Sequence, residues 1–146
     1  MKILITGASG YLGGRLTEYL YERYDLRLAS RNLERLELPY ANSVECYNID
    51  WDDQKSIEKS VNNVEVVVHL AGLNAKESLQ DPSKAIEINK DNTQKILEFS
   101  IKNKVKKFIY LSTAHVYSNP LEGDINESSQ TFGDHPYATS HLDGEK

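Results

Sequence analysis

A glycine-rich stretch at the start of the chain constrains the fold more than any other feature. An apolar run at residues 3–5 is typical of a short buried strand and ends at Thr6. Three glycines then follow at three-residue spacing: Gly7, Gly10 and Gly13. Apolar residues next recur at the spacing of an amphipathic helix: Leu12, Leu16 and Leu20. The sequence therefore predicts a strand, a tight glycine turn and a helix in direct succession.

Each glycine of this turn has its own physical task. Gly7 lets the chain turn sharply, Gly10 has no Cβ to hold a diphosphate away, and Gly13 lets the helix pack closely on the sheet. The N–H groups and the positive end of the helix then face the phosphates. A glycine-rich turn more often only reverses the chain, but the strand before it and the helix after it favour a nucleotide. We therefore assign six residues to dinucleotide binding: Gly7, Ser9, Gly10, Tyr11, Leu12 and Gly13.

Length and composition exclude several classes of protein. The 146 residues are predicted to form one dinucleotide-binding domain, and the net charge of −5 leaves no extended basic surface for nucleic acid. The single cysteine, Cys46, cannot form an internal disulfide, and its apolar neighbours favour a small core residue. We recognise no signal peptide, metal-ligand cluster or bilayer-spanning stretch. We expect a soluble, cytoplasmic protein.

Predicted strands and helices alternate along the whole chain. The strands are expected at residues 3–5, 26–29, 44–49, 64–72 and 105–111. Helices are expected after the glycine turn, at about 54–61, from Asp81-Pro82 to about 103, and from Tyr137 onward; a loop is expected around Asn74 and Ser78. This alternation predicts an α/β fold of the Rossmann type, a doubly wound parallel sheet with the strand order 3-2-1-4-5.

The end of the second predicted strand bears on the choice of dinucleotide. An acid at this place would select NAD by bonding the ribose 2′-hydroxyl, but the chain has Ser30 and Arg31 there. A guanidinium can hold a 2′-phosphate with two hydrogen bonds, so these residues favour NADP over NAD. The alternative is that Arg31 is a solvated loop charge.

Further candidate cofactor residues stand at the ends of two later strands. Asp50 is a candidate acceptor for the adenine amino group, although a turn aspartate that bonds its own backbone is about equally favoured. The fourth strand ends in Leu70, Ala71 and Gly72, and the last two keep its end small where a cofactor would lie across it. Within that strand, His69 is better explained as a buried neutral histidine than as a functional group.

The helix that begins near Pro82 carries two amides close to its apolar stripe. A buried amide costs stability unless it is bonded, so Asn89 and Asn92 either bind the neighbouring strand end or are exposed. We include Asn89 among the candidate cofactor residues.

The groups that would perform chemistry come last in the chain. Ser112 and Thr113 form a hydroxyl pair at the end of the fifth strand, and Tyr137 opens the final helix. Ligands of such sheets bind outside the carboxyl ends of the strands, where these groups would suit proton transfer to a carbonyl. A tyrosine of ordinary pKa near 10 is a poor base and needs a cation close by. Position 141 lies one helical turn further on the same face, and it holds His141.

The chain resembles the extended short-chain dehydrogenase/reductases, and among them the NAD(P)-dependent epimerase/dehydratase family. The matching segments keep the order and spacing of the family over the whole chain: Thr6–Gly13, Asp50, His69–Gly72, Asp81-Pro82, Ser112–Tyr117 and Pro136–Ser140. The resemblance implies that Thr113 is the catalytic Ser/Thr, with Ser112 beside it, and that Tyr137 is the acid/base. It also implies hydride exchange at a carbon of a nucleotide sugar with NAD(P). The family further implies a homodimer through the helices that start near Pro82 and Tyr137, with a weak dimer or a monomer as the alternative because the second helix is cut short.

Two features depart from the family pattern. The family has Tyr-x-x-x-Lys, whereas this chain has Tyr137 followed by His141, a shorter side chain that we expect to be partly charged near neutrality. Slow or acid-shifted activity would result, or a non-catalytic NADP(H)-binding sensor or regulatory module. The chain also stops soon after Tyr137, so we expect a fragment that is truncated before the substrate domain and whose activity alone is doubtful.

Overall fold

The computed structural model describes residues 1–32, 41–117 and 121–146. Five parallel strands form one sheet in the order β3-β2-β1-β4-β5, which confirms the predicted order. The strands are β1 (Lys2–Thr6), β2 (Asp25–Ser30), β3 (Glu45–Asn48), β4 (Val66–His69) and β5 (Lys107–Tyr110). The helices are α1 (Tyr11–Leu20), α2 (Gln54–Val61), α3 (Ala75–Gln80), α4 (Pro82–Ala85), α5 (Asn92–Lys102) and α6 (Pro136–Glu145).

The central strand β1 explains why the apolar run at the start of the chain shows no alternation. Leu4 belongs to one buried cluster, with Ile57 of α2, and Ile3 and Ile5 belong to a second cluster, against which Leu16 of α1 packs. A parallel strand that is covered on both faces buries every side chain, and such strands are nearly continuous apolar runs. β1 therefore becomes the middle of the sheet and fixes where the glycine turn emerges.

The chain divides into two compact units. The first comprises residues 1–71 and 95–111 and holds the whole sheet with the glycine turn. The second comprises residues 72–94 and 112–146 and holds α3, α4 and α6. The prediction of a single dinucleotide-binding domain over residues 1–146 stays a prediction.

The prediction of a loop around Asn74 and Ser78 is wrong, because the helix α3 forms there. The Asn74 side chain accepts a hydrogen bond from the Glu77 N–H at 3.0 Å, and the Glu77 carboxylate accepts one from the Asn74 N–H at 3.3 Å. This reciprocal pair is a capping box, which satisfies donors that the first turn of a helix leaves without partners. Ser78 is fully buried in this helix.

The long helix predicted from Pro82 is interrupted. α4 passes into a π-helical segment, Ile86–Asp91, before α5 begins at Asn92. Such wide turns are often found at functional sites, and this one contains Asn89. Propensity and periodicity give no signal for a π-helical segment.

Cys46 is exposed, so its assignment to the core is wrong. It lies on β3, the strand at one edge of the sheet, and an edge strand has a neighbour on one side only. In the ranges that the structure describes, no helix is long and apolar enough to cross a membrane.

Candidate functional site

The glycine turn packs so closely that two of its positions exclude any side chain. Gly7 has a φ of +67°, and a Cβ there would stand 2.7 Å from the Ala71 nitrogen. A Cβ on Gly13 would stand 2.3 Å from the Gly7 carbonyl oxygen. Both distances are far below van der Waals contact. Because the obstructing atoms belong to the backbone, no rotamer change can relieve the clash.

Gly10 differs from Gly7 and Gly13, because the space beside its α-carbon is largely open. It is exposed, and a Cβ there would meet only the Gly7 carbonyl oxygen, at 3.2 Å. Gly10 is also the N-cap of α1, and no side chain caps this helix. A helix N-terminus without a capping side chain presents N–H groups and partial positive charge to an anion. The turn therefore fits a dinucleotide diphosphate at the place that the sequence predicts, over a backbone that Gly10 leaves open.

The hydroxyl of Thr6 joins the end of β1 to the end of β4. Its oxygen accepts hydrogen bonds from the N–H groups of Leu70 and Ala71, each at 3.2 Å. It lies 2.7 Å from Nδ1 of His69, which accepts the hydroxyl proton when the neutral imidazole carries its own proton on Nε2. This hydroxyl therefore holds the two strand ends in register beside Gly7.

His69 is fully buried, as expected for a core histidine. Its ring stacks on Tyr110 at a centroid distance of 5.9 Å and meets the edge of Trp51 at 5.8 Å. The bond to Thr6 and these ring contacts account for a histidine within an apolar strand. The predicted burial of His69 is confirmed.

The end of β2 lies beside the glycine turn. The hydroxyls of Ser9 and Ser30 are 2.8 Å apart, and the Ser30 hydroxyl also donates to the Asn32 carbonyl at 3.0 Å. Ser30 is buried, whereas Arg31 is exposed. Ser30 thus has a structural task in shaping the loop, and Arg31 has a side chain open to solvent.

Asp50 has the local role that competed with adenine binding in the sequence analysis. Its Oδ1 accepts a hydrogen bond from the Asp52 N–H at 2.9 Å, which makes it a turn aspartate. The carboxylate is exposed, and the contact with adenine stays a prediction.

Asn89 is fully buried and binds the chain that leaves β4. Its Oδ1 accepts from the Leu73 N–H at 2.7 Å, and its Nδ2 donates to the Ser140 hydroxyl at 2.9 Å. A Cβ on Gly72 would stand 3.0 Å from that same Oδ1. The alternative in which the amide binds the neighbouring strand end is therefore confirmed, and Gly72 makes room for it.

The hydroxyl pair after β5 has defined partners. Thr113 is the N-cap of a short 3₁₀ turn, Ala114–Val116, and its hydroxyl accepts from the His115 N–H at 3.3 Å. The Ser112 hydroxyl donates to the carboxylate of Glu145, near the end of α6. A carboxylate near Ser112 was not foreseen, because Glu145 lies 33 residues further along the chain.

Tyr137 and His141 are in direct contact on α6. Their ring centroids lie 4.5 Å apart with an interplanar angle of 72°, an edge-to-face arrangement. His141 is buried, and this burial lowers its pKa from 6.5 to about 4. The expectation of a partly charged His141 near neutrality is therefore wrong. Burial penalises the charged form, so the imidazole beside Tyr137 is neutral at pH 7.

The sequence matches a known protein family. The model of the NAD dependent epimerase/dehydratase family matches residues 3–146. The chain belongs to this family. A UDP-glucose 4-epimerase from Halalkalibacterium halodurans is 29% identical over 149 residues, which cover 100% of this chain and 45% of that protein. The human UDP-glucose 4-epimerase is 30% identical over 157 residues, which cover 95% of this chain and 45% of that protein.

A solved structure supports the same assignment. The UDP-glucose 4-epimerase from Bifidobacterium longum, in complex with NAD+ and UDP, is 32% identical to this chain with a TM-score of 0.84. The match covers 99% of this chain and 47% of that one. The chain thus spans about half the length of the family members that it matches. Within the described ranges, no group of three or more His, Cys, Asp and Glu side chains could hold a metal ion.

Substitution of two neighbouring glycines tests the packing of the turn. Gly13→Ala should abolish dinucleotide binding or unfold the loop, because its Cβ would meet the Gly7 carbonyl oxygen at 2.3 Å. Gly14→Ala is the matched control, since nothing lies within 4 Å of a Cβ there. It should keep binding and stabilise α1 by about 0.5–1 kcal/mol. Nicotinamide fluorescence and urea unfolding would measure both effects; unchanged binding by Gly13→Ala would contradict the packing argument.

The lowered pKa of His141 predicts a pH-dependent stability. Histidine in an unfolded chain has a pKa of about 6.5, so the unfolded state binds more protons than the folded state between about pH 6.5 and 4. The contribution of the neutral His141 to the free energy of unfolding is fully present above pH 6.5. It is lost as the pH falls towards 4, and the free energy of unfolding decreases by up to about 3 kcal/mol. Urea unfolding at several pH values should show a flatter dependence in His141→Gln. The exposed His115 provides the control His115→Gln, which should follow the parent chain; equal slopes in all three would refute the assignment.

Proposed function

We propose that the chain is the cofactor-binding part of an NAD(P)-dependent oxidoreductase, epimerase or dehydratase that acts on a nucleotide sugar. The observation that carries this proposal is the contact between the rings of Tyr137, at the second position of α6, and His141, one helical turn later. This is the place of the family's acid/base pair. The matched relatives are named as UDP-glucose 4-epimerases, which supports a nucleotide sugar as the substrate class.

The residue roles divide between binding and proton transfer. The backbone at Gly7, Gly10 and the first turn of α1 holds the diphosphate. Thr113, whose hydroxyl accepts from the His115 N–H and keeps its own proton, donates a hydrogen bond to the oxygen of the reacting sugar carbon, with Ser112 beside it. Tyr137 accepts the proton of that hydroxyl when the carbon is oxidised and returns it when the carbonyl is reduced. Bound NAD(P) supplies the acceptor and donor for the hydride.

The remaining candidate residues complete the proposed cofactor site. Leu70 and Ala71, whose N–H groups are held by Thr6, define the strand end over which the cofactor lies. Ser9 of the glycine turn is exposed, and so are Tyr11 and Leu12 in the first turn of α1. The buried Asn89 holds the backbone next to Gly72 by accepting from the Leu73 N–H, and its contact with the cofactor stays a prediction.

The neutral His141 favours a second candidate function. A lysine at this place would supply a positive charge that favours the ionised tyrosine. A buried histidine with a pKa of about 4 supplies none at neutral pH, so proton abstraction by Tyr137 is less favourable. A module that binds NADP(H) without turnover, as a sensor or regulatory subunit, would have the same glycine turn and need no cation. Turnover therefore distinguishes the two functions, whereas binding does not.

The choice of cofactor rests on Arg31. It is exposed directly after β2, and the preceding Ser30 is tied to Ser9 of the glycine turn. A guanidinium in this position suits a 2′-phosphate, and we propose NADP as the preferred dinucleotide. The Bifidobacterium relative was solved with NAD+, so this preference would set the chain apart from it. A homodimer and a cytoplasmic location are likewise proposals that rest on family resemblance and composition.

The cofactor proposal is tested by titration with NADPH and NADH, followed by nicotinamide fluorescence. NADPH should bind more tightly, and Arg31→Ala should weaken NADPH about tenfold while it leaves NADH unchanged, since a hydrogen bond to a charged group contributes about 1.5–3 kcal/mol. Arg23→Ala is the control, because Arg23 is exposed beyond the far end of α1. Equal affinities for the two dinucleotides would remove this role from Arg31.

The catalytic proposal is tested at Tyr137 and His141. Tyr137→Phe should abolish hydride exchange with UDP-glucose and leave dinucleotide binding intact. His141→Lys should raise turnover at neutral pH, by about tenfold or more, because it places a cation beside the tyrosine. Absorbance at the band of the reduced nicotinamide measures hydride exchange. The assay is made on this chain and on any longer polypeptide that contains it. Binding without turnover in both, and no gain in His141→Lys, would favour the binding module.

A further inference from the structure

The helix that carries Tyr137 has an unusual N-cap. His135 has an extended backbone, with φ −99° and ψ 134°, and its Nδ1 accepts a hydrogen bond from the Tyr137 N–H at 3.1 Å. N-caps are usually Ser, Thr, Asp or Asn, whose side-chain oxygens accept a hydrogen bond throughout the range from about pH 5 to 8. Pro136 occupies the first helical position and has no N–H. The Tyr137 N–H is therefore the first donor of α6, and an imidazole satisfies it.

A second set of bonds holds the cap residue itself. The carbonyl oxygen of His135 accepts from the Thr139 N–H at 3.0 Å. The Thr139 hydroxyl shares its proton between that oxygen, at 3.2 Å, and the Gly133 carbonyl oxygen, at 2.9 Å. A Cβ on Gly133 would come within 3.1 Å of this hydroxyl, so glycine allows the close approach. The backbone on both sides of His135 is thus fixed, and the imidazole has a defined direction.

We propose that His135 is a positioning residue for Tyr137, and that it holds the first turn of α6 only while its Nδ1 is unprotonated. An imidazole accepts a hydrogen bond through one ring nitrogen, but an imidazolium has two donors and no acceptor. Protonation of Nδ1 would therefore replace the acceptor by an N–H donor, which would face the N–H donor of Tyr137. It would also place a positive charge at the positive end of a helix. Histidine is the side chain that ordinarily changes charge between about pH 5 and 8, so mild acid releases the cap.

The other titratable groups near α6 do not reproduce this behaviour. Asp134 precedes the cap and is exposed, and His141 on α6 titrates only near pH 4. His115 lies on the turn Ala114–Val116, which packs against α6, and serves as a control below. The carboxylates of the packed α3, α4 and π-helical segments have partners: Glu77 with the Asn74 N–H, Glu87 with Lys84, and Asp91 with Lys90. Lys76 lies on α3, and Asp143 and Glu145 lie near the C-terminal end of α6, where they meet Lys146 and the Ser112 hydroxyl.

The cap is tested directly by NMR on the whole chain labelled with 15N. At about pH 8 the ring of His135 should be the Nε2–H tautomer, since Nδ1 is the acceptor. As the pH falls to about 5, the Tyr137 amide should shift with the same midpoint as the His135 ring. Its protection against hydrogen exchange, corrected for the intrinsic pH dependence, should fall about fivefold, as expected for loss of a cap worth about 1 kcal/mol.

Three variants separate the cap from other causes. His135→Asn keeps a capping oxygen that does not titrate in this range, so the Tyr137 amide should become insensitive to pH and stay protected. His135→Ala should leave it unprotected at every pH. His115→Asn should behave like the parent chain. An Nδ1–H tautomer at about pH 8, or a pH response of Tyr137 that persists in His135→Asn, would overturn the proposal.

The consequence for activity rests on the proposed function. If Tyr137 transfers the proton, turnover should decline between about pH 8 and 5 in the parent chain and decline less in His135→Asn, with the change in kcat rather than KM. The NMR result does not depend on turnover, so a chain without activity still tests the cap. A decline of the same size in His135→Asn would refute the catalytic consequence and leave the proposed function standing.

Discussion

The packing of α1 onto the glycine turn is the constraint on which the unit that holds the sheet depends. A Cβ on Gly13 would stand 2.3 Å from the carbonyl oxygen of Gly7, so the helix reaches its place only because that atom is missing. The same approach aims the N-terminus of α1 outward over Gly10, where no side chain caps it. The Thr6 hydroxyl then holds the chain at Leu70 and Ala71 beside Gly7. Close packing and an uncapped helix N-terminus are thus two results of one backbone geometry.

Three histidines of this chain show how surroundings decide what an imidazole does. His69 is buried among aromatic rings and bonded to Thr6, and it belongs to the core. His141 is buried beside Tyr137, and burial keeps it neutral where the family has a permanent cation. His135 is half-buried and accepts from the Tyr137 N–H. Two of the three therefore contact Tyr137: His141 contacts its ring, and His135 accepts from its backbone N–H.

The lysine-to-histidine departure has a physical meaning that family membership alone does not supply. In a solvated site, His141 would carry a partial charge near neutrality and give the tyrosine some activation. The burial of its ring removes this charge, and the edge-to-face contact with Tyr137 then contributes packing in place of electrostatic activation. The cofactor loop shows no corresponding departure. The chain thus keeps the glycines of the proposed binding turn and lacks the cation of the proposed acid/base pair, which is why turnover decides between its two candidate functions.

Local patterns in the sequence determined the strand order, the glycine turn and the identity of the family. The apolar run of β1, the spacing of Gly7, Gly10 and Gly13, and Tyr137 at a helix start are all readable within short windows. The capping box of Asn74 and Glu77 was also readable, and α3 could have been predicted from it.

Only the tertiary structure decided which groups meet and which are buried. The bond from Asn89 to Ser140 spans 51 residues, and the π-helical segment around Asn89 follows no local propensity. Ser112 meets Glu145 across 33 residues, and Cys46 is exposed because its strand lies at an edge of the sheet. The charge state of His141 depends on burial by residues distant in sequence. Sequence patterns report what a residue does to its own backbone, whereas pKa values and hydrogen-bond partners are set by neighbours that only folding brings close.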